Sequence, residues 1–285
     1  MELTDQDFFL ITKYIRDLCG ISIQANKRYL ILHRLESLAE SRGCRNFSQF
    51  YQLLKHNCPQ GLQEQVINAI TTHETSFFRD THPFTAWMEF IIPQLCILIK
   101  EKKYVQGLYD QKIRIWSAGA STGQEPYSIA ILLHEYIARN QLVGITAADF
   151  EILATDISSR ILAKARVGSY GEMEIDRGLL SVYRDKYFIK DGNQWRVSDF
   201  IKQMITFRQV NLAAPFSILG IFDVIFCRNV LIYFDNDTKT NILGQFHHML
   251  PDKGFLVLGA TENTYGITSL FESVRYKETL FYKKV

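Results

Sequence analysis

Apolar runs of four to six residues recur from Ile113 to the end of the chain, separated by segments with helical spacing, and that rhythm leaves few folds open. The runs are Ile113 to Trp116, Phe150 to Ala154, Ile205 to Phe207, Val224 to Cys227 and Phe255 to Leu258. A closing pair falls near Ser273 to Tyr276 and Leu280 to Tyr282. Between them, Tyr127 to Arg139 places Ile129, Leu132, Leu133 and Tyr136 on one face, and Ser159 to Val167 and Thr238 to Leu250 are also helical. Short buried strands alternating with helices are βαβ units, which predicts a doubly wound parallel sheet. Tyr187 to Val197 breaks the rhythm. Its Asp191-Gly192 pair predicts a tight hairpin, and hence a small β insertion at about 184–202.

The first 70 or so residues contain helical patterns only. Thr4 can cap a segment with Phe8, Ile11, Ile15 and Leu18 at three- and four-residue spacing, stopped by Gly20. Asn26 can open a second helix carrying Ile31, Leu35 and Leu38, ended near Gly43. Ser48 leads into Phe50, Leu53 and Leu54, and a fourth pattern holds Leu62, Val66, Ile67 and Ile70. Four short helices make a small bundle. The expected fold is therefore α/β. An all-helical domain (1–72) and a linker (73–84) precede a doubly wound, Rossmann-like domain (85–285) with its hairpin insertion.

Composition excludes several classes of function. The 32 Lys and Arg residues against 30 Asp and Glu give a net +2, too little for a general nucleic-acid binder, although a local basic patch stays open. Cys19, Cys44, Cys58, Cys96 and Cys227 are odd in number and lack a CxxC pair, which argues against a disulfide framework or a zinc site and for a reducing compartment. The start, Met1-Glu2-Leu3-Thr4-Asp5, is acidic where a secretory signal would be basic. The most hydrophobic stretch, Phe90 to Ile99, reads as broken by Pro93 and Gln94 and short of the about 20 residues a span needs. The expectation is a cytoplasmic protein with no membrane insertion, no bound metal and no nucleic-acid partner.

Two features carry chemistry. In Ile113 to Pro126 a buried strand runs into a turn of small residues, Ser117-Ala118-Gly119-Ala120-Ser121-Thr122-Gly123. Gly119 and Gly123 let backbone pass close to a ligand at the carboxyl end of a strand, where such sheets bind ligands; an ordinary βα turn has the same composition. The next strand ends Leu153-Ala154-Thr155-Asp156, placing a carboxylate where nucleotide-binding sheets hold ribose hydroxyls; taken singly, Asp156 could equally cap the following helix. Together the two favour an adenosine-type ligand. Neither a dinucleotide fingerprint nor a phosphate loop is present, which points to a cofactor without phosphate. S-adenosylmethionine is one, and Glu125 can hold its amino group.

Four blocks in order resemble the CheR family of chemotaxis methyltransferases. They are Thr71 to Asp80 (TTHETSFFRD), Trp116 to Ser128 (WSAGASTGQEPYS), Ala154 to Ile157 (ATDI) and Phe222 to Phe234 (FDVIFCRNVLIYF), and the resemblance covers nearly the whole chain. It implies an S-adenosylmethionine methyltransferase domain that esterifies glutamate side chains of methyl-accepting chemotaxis receptors, leaving S-adenosylhomocysteine, without a metal.

Carried onto this sequence, the resemblance implies a cofactor site of His73, Thr75, Arg79, Gly119, Glu125, Asp156, Asn211, Leu212, Arg228 and Asn229. The family often has Asn where this chain has His73. Arg79 and Tyr233 are the candidates for lining the methyl-transfer point. Residues Lys27 to Arg45 carry a local +3, which a solvated helix face would also explain. If the family reading holds, Lys27, Arg28 and Arg34 form the docking face for the acidic helical region of a receptor, with the enzyme recruited to membrane receptor arrays. Some relatives carry a glycine-rich insertion in the hairpin that grips a receptor tail peptide. The tight turn here leaves no room for it, so docking should be tether-independent. An enzyme with another methyl acceptor, or a non-catalytic cofactor-sensing scaffold, are the other functions this fold could serve.

Overall fold

A computed structural model of the chain describes residues 1–105, 107 and 111–285. Part of the stretch 100–111 lies outside those residues; Glu101–Val105 within it is a π-helical segment.

Four helices come first: α1 (Asp5–Cys19), α2 (Arg28–Ser41), α3 (Phe47–His56) and α4 (Leu62–Ile70). Thr4 caps α1 as expected, its hydroxyl accepting the Asp7 amide at 3.1 Å, and Gly20 ends it at φ +77°. Asn26 falls in a 3-10 turn leading into α2, and Asn46, two residues before the expected Ser48, caps α3 through the Gln49 amide. Their apolar faces close on a separate core that includes Ile15, Ile31, Leu35, Phe50 and Val66.

A continuous helical run, His82–Val105, follows, made of α5 (His82–Ala86), a π turn (Trp87–Ile91), α6 (Ile92–Lys100) and the segment after it. Pro93 does not break this run, contrary to the sequence reading. Proline lacks an amide and crowds the preceding turn, and a wide turn directly before it removes both conflicts. The run is long and apolar enough to cross a membrane by length and composition, but half of its apolar window is buried. Trp87, Ile91, Ile92 and Leu95 pack into the core on one face of the sheet.

The remaining elements are β1 (Ile113–Ala118), α7 (Gln124–Asn140), β2 (Phe150–Asp156), α8 (Ser159–Val167), β3 (Ser169–Gly171), α9 (Glu172–Asp176), α10 (Ser181–Tyr187), β4 (Phe188–Asp191), β5 (Gln194–Val197), α11 (Asp199–Lys202), β6 (Ile205–Gln209), β7 (Val224–Cys227), α12 (Asn236–Met249), β8 (Phe255–Leu258), β9 (Phe271–Tyr276) and β10 (Thr279–Lys284). Seven strands form one sheet in the order β6-β2-β1-β7-β8-β10-β9, parallel except for β10, which runs against both neighbours. Period-two alternation feeds a core on each face. Ile115, Val224, Phe226 and Val257 point to the side of α6 and α7, and Trp116, Ile225, Cys227 and Leu256 to the side of α12.

Crossovers run outward from β1 to β2 to β6, then return to β7 beside β1. The chain therefore changes direction between β1 and β7, and a crevice opens there at the carboxyl ends of the strands. The expected hairpin is β4 and β5. It also recruits β3, fifteen residues before the expected insertion begins, giving a separate three-stranded sheet, β3-β5-β4.

Candidate functional site

A cleft of about 960 Å³, its open mouth included, lies at that switch point. This is within the usual size range for small-molecule sites. The residues His73, Thr75, Arg79, Gly119, Glu125, Asp156, Asn211, Leu212, Arg228 and Asn229 all line it, and so does Tyr233. Cys19 and Ile21 add a contribution from the helical domain.

The turn after β1 forms one wall. Gly119 and Ala120 both donate their amides to Thr155 O at 2.8 Å, folding the turn back onto β2. Gly119 sits at φ +81°, and a Cβ there would lie 2.4 Å from Val230 Cγ2, so only glycine lets the two loops meet. Ser121, at φ +50°, donates its amide to Asp156 Oδ2 at 3.0 Å and its hydroxyl to His73 O at 3.0 Å. The Ser158 amide donates to Asp156 Oδ1 at 3.0 Å. Asp156 does not cap α8, since Ser158 does so through the Ile161 amide; it braces the turn before that cap, and each of its oxygens keeps a second lone pair, the pattern needed to accept two ribose hydroxyls.

Glu125 lies deeper. Ser117 donates to its Oε1 at 2.8 Å and Arg228 Nη1 to its Oε2 at 3.1 Å. Burial raises its pKa above the ordinary carboxylate value; Arg228 opposes that rise, and Glu262 adds to it. Arg228 is itself 5% exposed. Its Nη2 donates to Arg79 O at 2.7 Å and to Asp80 Oδ2 at 2.9 Å, and its plane covers Phe84. One guanidinium thus ties the end of β7 to the start of α7 and to the interdomain linker.

The linker crosses the cleft in an unusual backbone conformation, with Phe78, Asp80 and Thr81 at positive φ. Non-glycine residues hold that region only where their surroundings enforce it, commonly at functional sites. Phe77 is fully buried, edge-on to Tyr170 and Phe188. Phe78 packs on Phe84 and Tyr183. With these anchors set, Arg79 is left half-buried at the cleft, one Nη donating to Glu74 O at 3.0 Å. His73 Nε2 lies 2.9 Å from Thr71 Oγ1, and burial lowers its pKa against the pull of Asp156.

Three sequence readings need adjusting. The Asn211 side chain is committed to the fold, donating to Leu18 O at 3.1 Å and accepting the Ala213 amide at 3.0 Å, so it bolts the two domains together as well as lining the cleft. Arg34 donates to Ile70 O at 2.5 Å and Thr71 O at 3.2 Å, capping α4. Arg28 is tied to Asp5 and Leu3 O. Neither arginine is free on the surface, because unpaired carbonyls at a helix end and a nearby carboxylate are the first acceptors a guanidinium meets. Lys27 is exposed and has no ion-pair partner among the described residues.

Sequence reasoning missed Glu262, whose carboxylate supports the loop after β7; the only local signal was an acid three residues past Gly259 at the end of an apolar strand. Cys227 is fully buried and its thiol is pushed well up, and Cys19 is pushed up to about 11, so neither is a ready nucleophile. Among the described residues no cluster of His, Cys, Asp or Glu is arranged to hold a metal ion.

A switch-point cleft with a strand-end acid, a buried acid opposite it and no phosphate loop suits a nucleoside carrying an amino-acid tail. This places the chain in the class of S-adenosylmethionine-dependent methyltransferases. Residues 73–280 match the CheR methyltransferase SAM-binding domain, and residues 6–71 the CheR methyltransferase all-alpha domain. The chain is 35% identical over 284 residues to the chemotaxis protein methyltransferase Cher2 of Pseudomonas putida and to chemotaxis protein methyltransferase 1 of Pseudomonas aeruginosa, each match covering 99% of both chains. With chemotaxis protein methyltransferase 1 of Vibrio cholerae it shares 35% over 283 residues. The chain belongs to the CheR methyltransferase family.

Proposed function

We propose that this chemotaxis-type methyltransferase esterifies glutamate side chains in the cytoplasmic helical region of chemoreceptors. The observation that carries the reading is that Arg79 from the linker and Tyr233 from the loop after β7 line the same cleft as Asp156 and Glu125. An acceptor and a nucleoside cofactor can therefore meet there.

Asp156 is assigned to the ribose hydroxyls and Glu125 to the amino group, its buried carboxyl already paired with Arg228. Asn211 and Leu212 would border the adenine, and His73, Thr75 and Asn229 the remainder of the cofactor. When bound, S-adenosylmethionine supplies an electrophilic methyl group on a sulfonium. A glutamate side chain, with a pKa of about 4.3, needs no base to become the attacking carboxylate near neutral pH. What the protein contributes is position. Arg79 retains donors to orient the incoming carboxylate, and Tyr233 bounds the transfer point. Well-aligned placement of this kind can supply up to about 7–11 kcal/mol of a barrier.

Docking falls to the exposed start of α2 around Lys27, since Arg28 and Arg34 serve the fold. The turn between β4 and β5 is two residues, Gly192 and Asn193, which supports tether-independent recognition. The protein would act on the cytoplasmic side of receptor arrays.

The test is transfer of labelled methyl from S-adenosylmethionine to receptor cytoplasmic fragments. Label released as methanol in mild base marks a glutamyl ester. Stable label, or none on any receptor fragment, would sink the reading.

A further inference from the structure

The loop after β7 leaves the sheet as irregular backbone, and buried amides in such a segment must find acceptors. They converge on one side chain. Glu262 Oε2 accepts the amides of Asn229 at 2.7 Å and Gly259 at 2.8 Å; Oε1 accepts those of Val230 at 2.9 Å and Ile232 at 3.2 Å. Glu262 is 9% exposed and comes from the loop after β8, 33 residues from Asn229.

We propose that Glu262 is a positioning residue of the methyl-transfer site, holding through those four amides the wall that presents Asn229 and Tyr233. The assignment rests on the function proposed above. Only an acceptor-only group with two oxygens can serve two pairs of converging donors. Gly259 permits the approach, because a Cβ there would lie 2.6 Å from Glu262 Oε2 and 2.8 Å from the Asn229 amide nitrogen. The held loop keeps Asn229 at φ +58° and seats Val230 on Gly119. It also sets Tyr233 O to accept the Ser22 amide at 2.9 Å from the helical domain, and Phe234 to bridge Ile21. The carboxylate thus fixes the cleft wall relative to both the cofactor turn and the helical domain, without lining the cleft itself.

The test compares wild type with Glu262→Gln and Glu262→Asp. In Glu262→Gln an amide NH₂ must face one converging pair of N–H groups, so two of the four bonds are lost while size is kept. Expected are faster amide exchange in 228–234 and 258–263 with β1 and β2 unchanged, and S-adenosylhomocysteine affinity weakened about tenfold as the competent loop state becomes a minority. At saturating cofactor kcat should fall roughly 100-fold, because misplacement by about 1 Å is costly to transfer. Glu262→Asp, too short to span both pairs but still a carboxylate, should recover part of kcat. Unchanged loop exchange and affinity in folded Glu262→Gln, or a kcat that falls only with the folded fraction, would overturn the assignment. If wild type methylates no receptor fragment, the reading above fails instead, since affinity and exchange are measured without an acceptor.

Discussion

The turn after β1 and the loop after β7 leave adjacent strands and meet across the cleft at Gly119 and Val230, yet they are held by different means. The first is tied to the strand beside it: small residues fold back on β2 through bonds to Thr155 O and Asp156, and Ser121 also reaches His73 O in the linker. The second is held from outside, by Glu262 below and by the Ser22 amide from the helical domain. A turn tied to the next strand of its own βαβ unit is announced by the local pattern of that strand. A loop held by a side chain from another loop and by a backbone amide of the helical domain carries no such local mark, and it is the part of the site bonded directly to that domain.

Arg228 joins the two loops, so its loss should have the largest effect. Arg228→Met leaves Glu125 buried without its counter-charge, at a cost of about 3–5 kcal/mol, read as a drop in denaturant midpoint. Adding Glu125→Gln should restore much of it. A double variant no more stable than the single would break the view that this pair is the joint between the loops.

Gly119→Ala should cost about 2–3 kcal/mol, from positive-φ strain plus the clash with Val230, and should also weaken S-adenosylhomocysteine binding. Val230→Ala in the same chain should return the clash share but not the strain share. Full recovery would mean that the turn's own conformation matters less than its contact with the opposite loop.

His73, whose carbonyl accepts the Ser121 hydroxyl, tests the first side most gently. Because its folded pKa is lowered by burial, the unfolded chain takes up its proton first on acidification. Its contribution is intact above about pH 6.5 and is lost as pH falls from there toward the lowered folded value. In His73→Asn that share disappears, while the similarly lowered His134 and His247 remain in both proteins and cancel in the difference. Between pH 7.5 and 5.5 the Tm of wild type should fall by no more than about 2 °C further than that of the variant. Equal slopes would take His73 out of the account.

The same contrast explains what the sequence could tell. The strands, the small-residue turn and the acid at the end of β2 are local patterns with a period or a position, and they are legible. Glu262 was not, because its four partners are backbone amides, two of them more than 30 residues away, and backbone leaves no mark in sequence. Arg34 reads as surface charge for the same reason, since two of its three partners are backbone carbonyls. β3 is three residues long and pairs with a strand some 25 residues later, too short for any period to show. Pro93 reads as a break because one-dimensional rules know its missing amide but not the π turn that precedes it.

The central claim is that the switch-point cleft binds S-adenosylmethionine with Asp156 on the ribose. The direct measurement is calorimetric titration of S-adenosylhomocysteine into wild type and Asp156→Ala, with melting curves to confirm that both are folded. The account predicts saturable binding to wild type and a loss of about 1.5–3 kcal/mol in the variant, roughly 10- to 150-fold in Kd. Binding of equal strength to both proteins, or none to wild type, would contradict it.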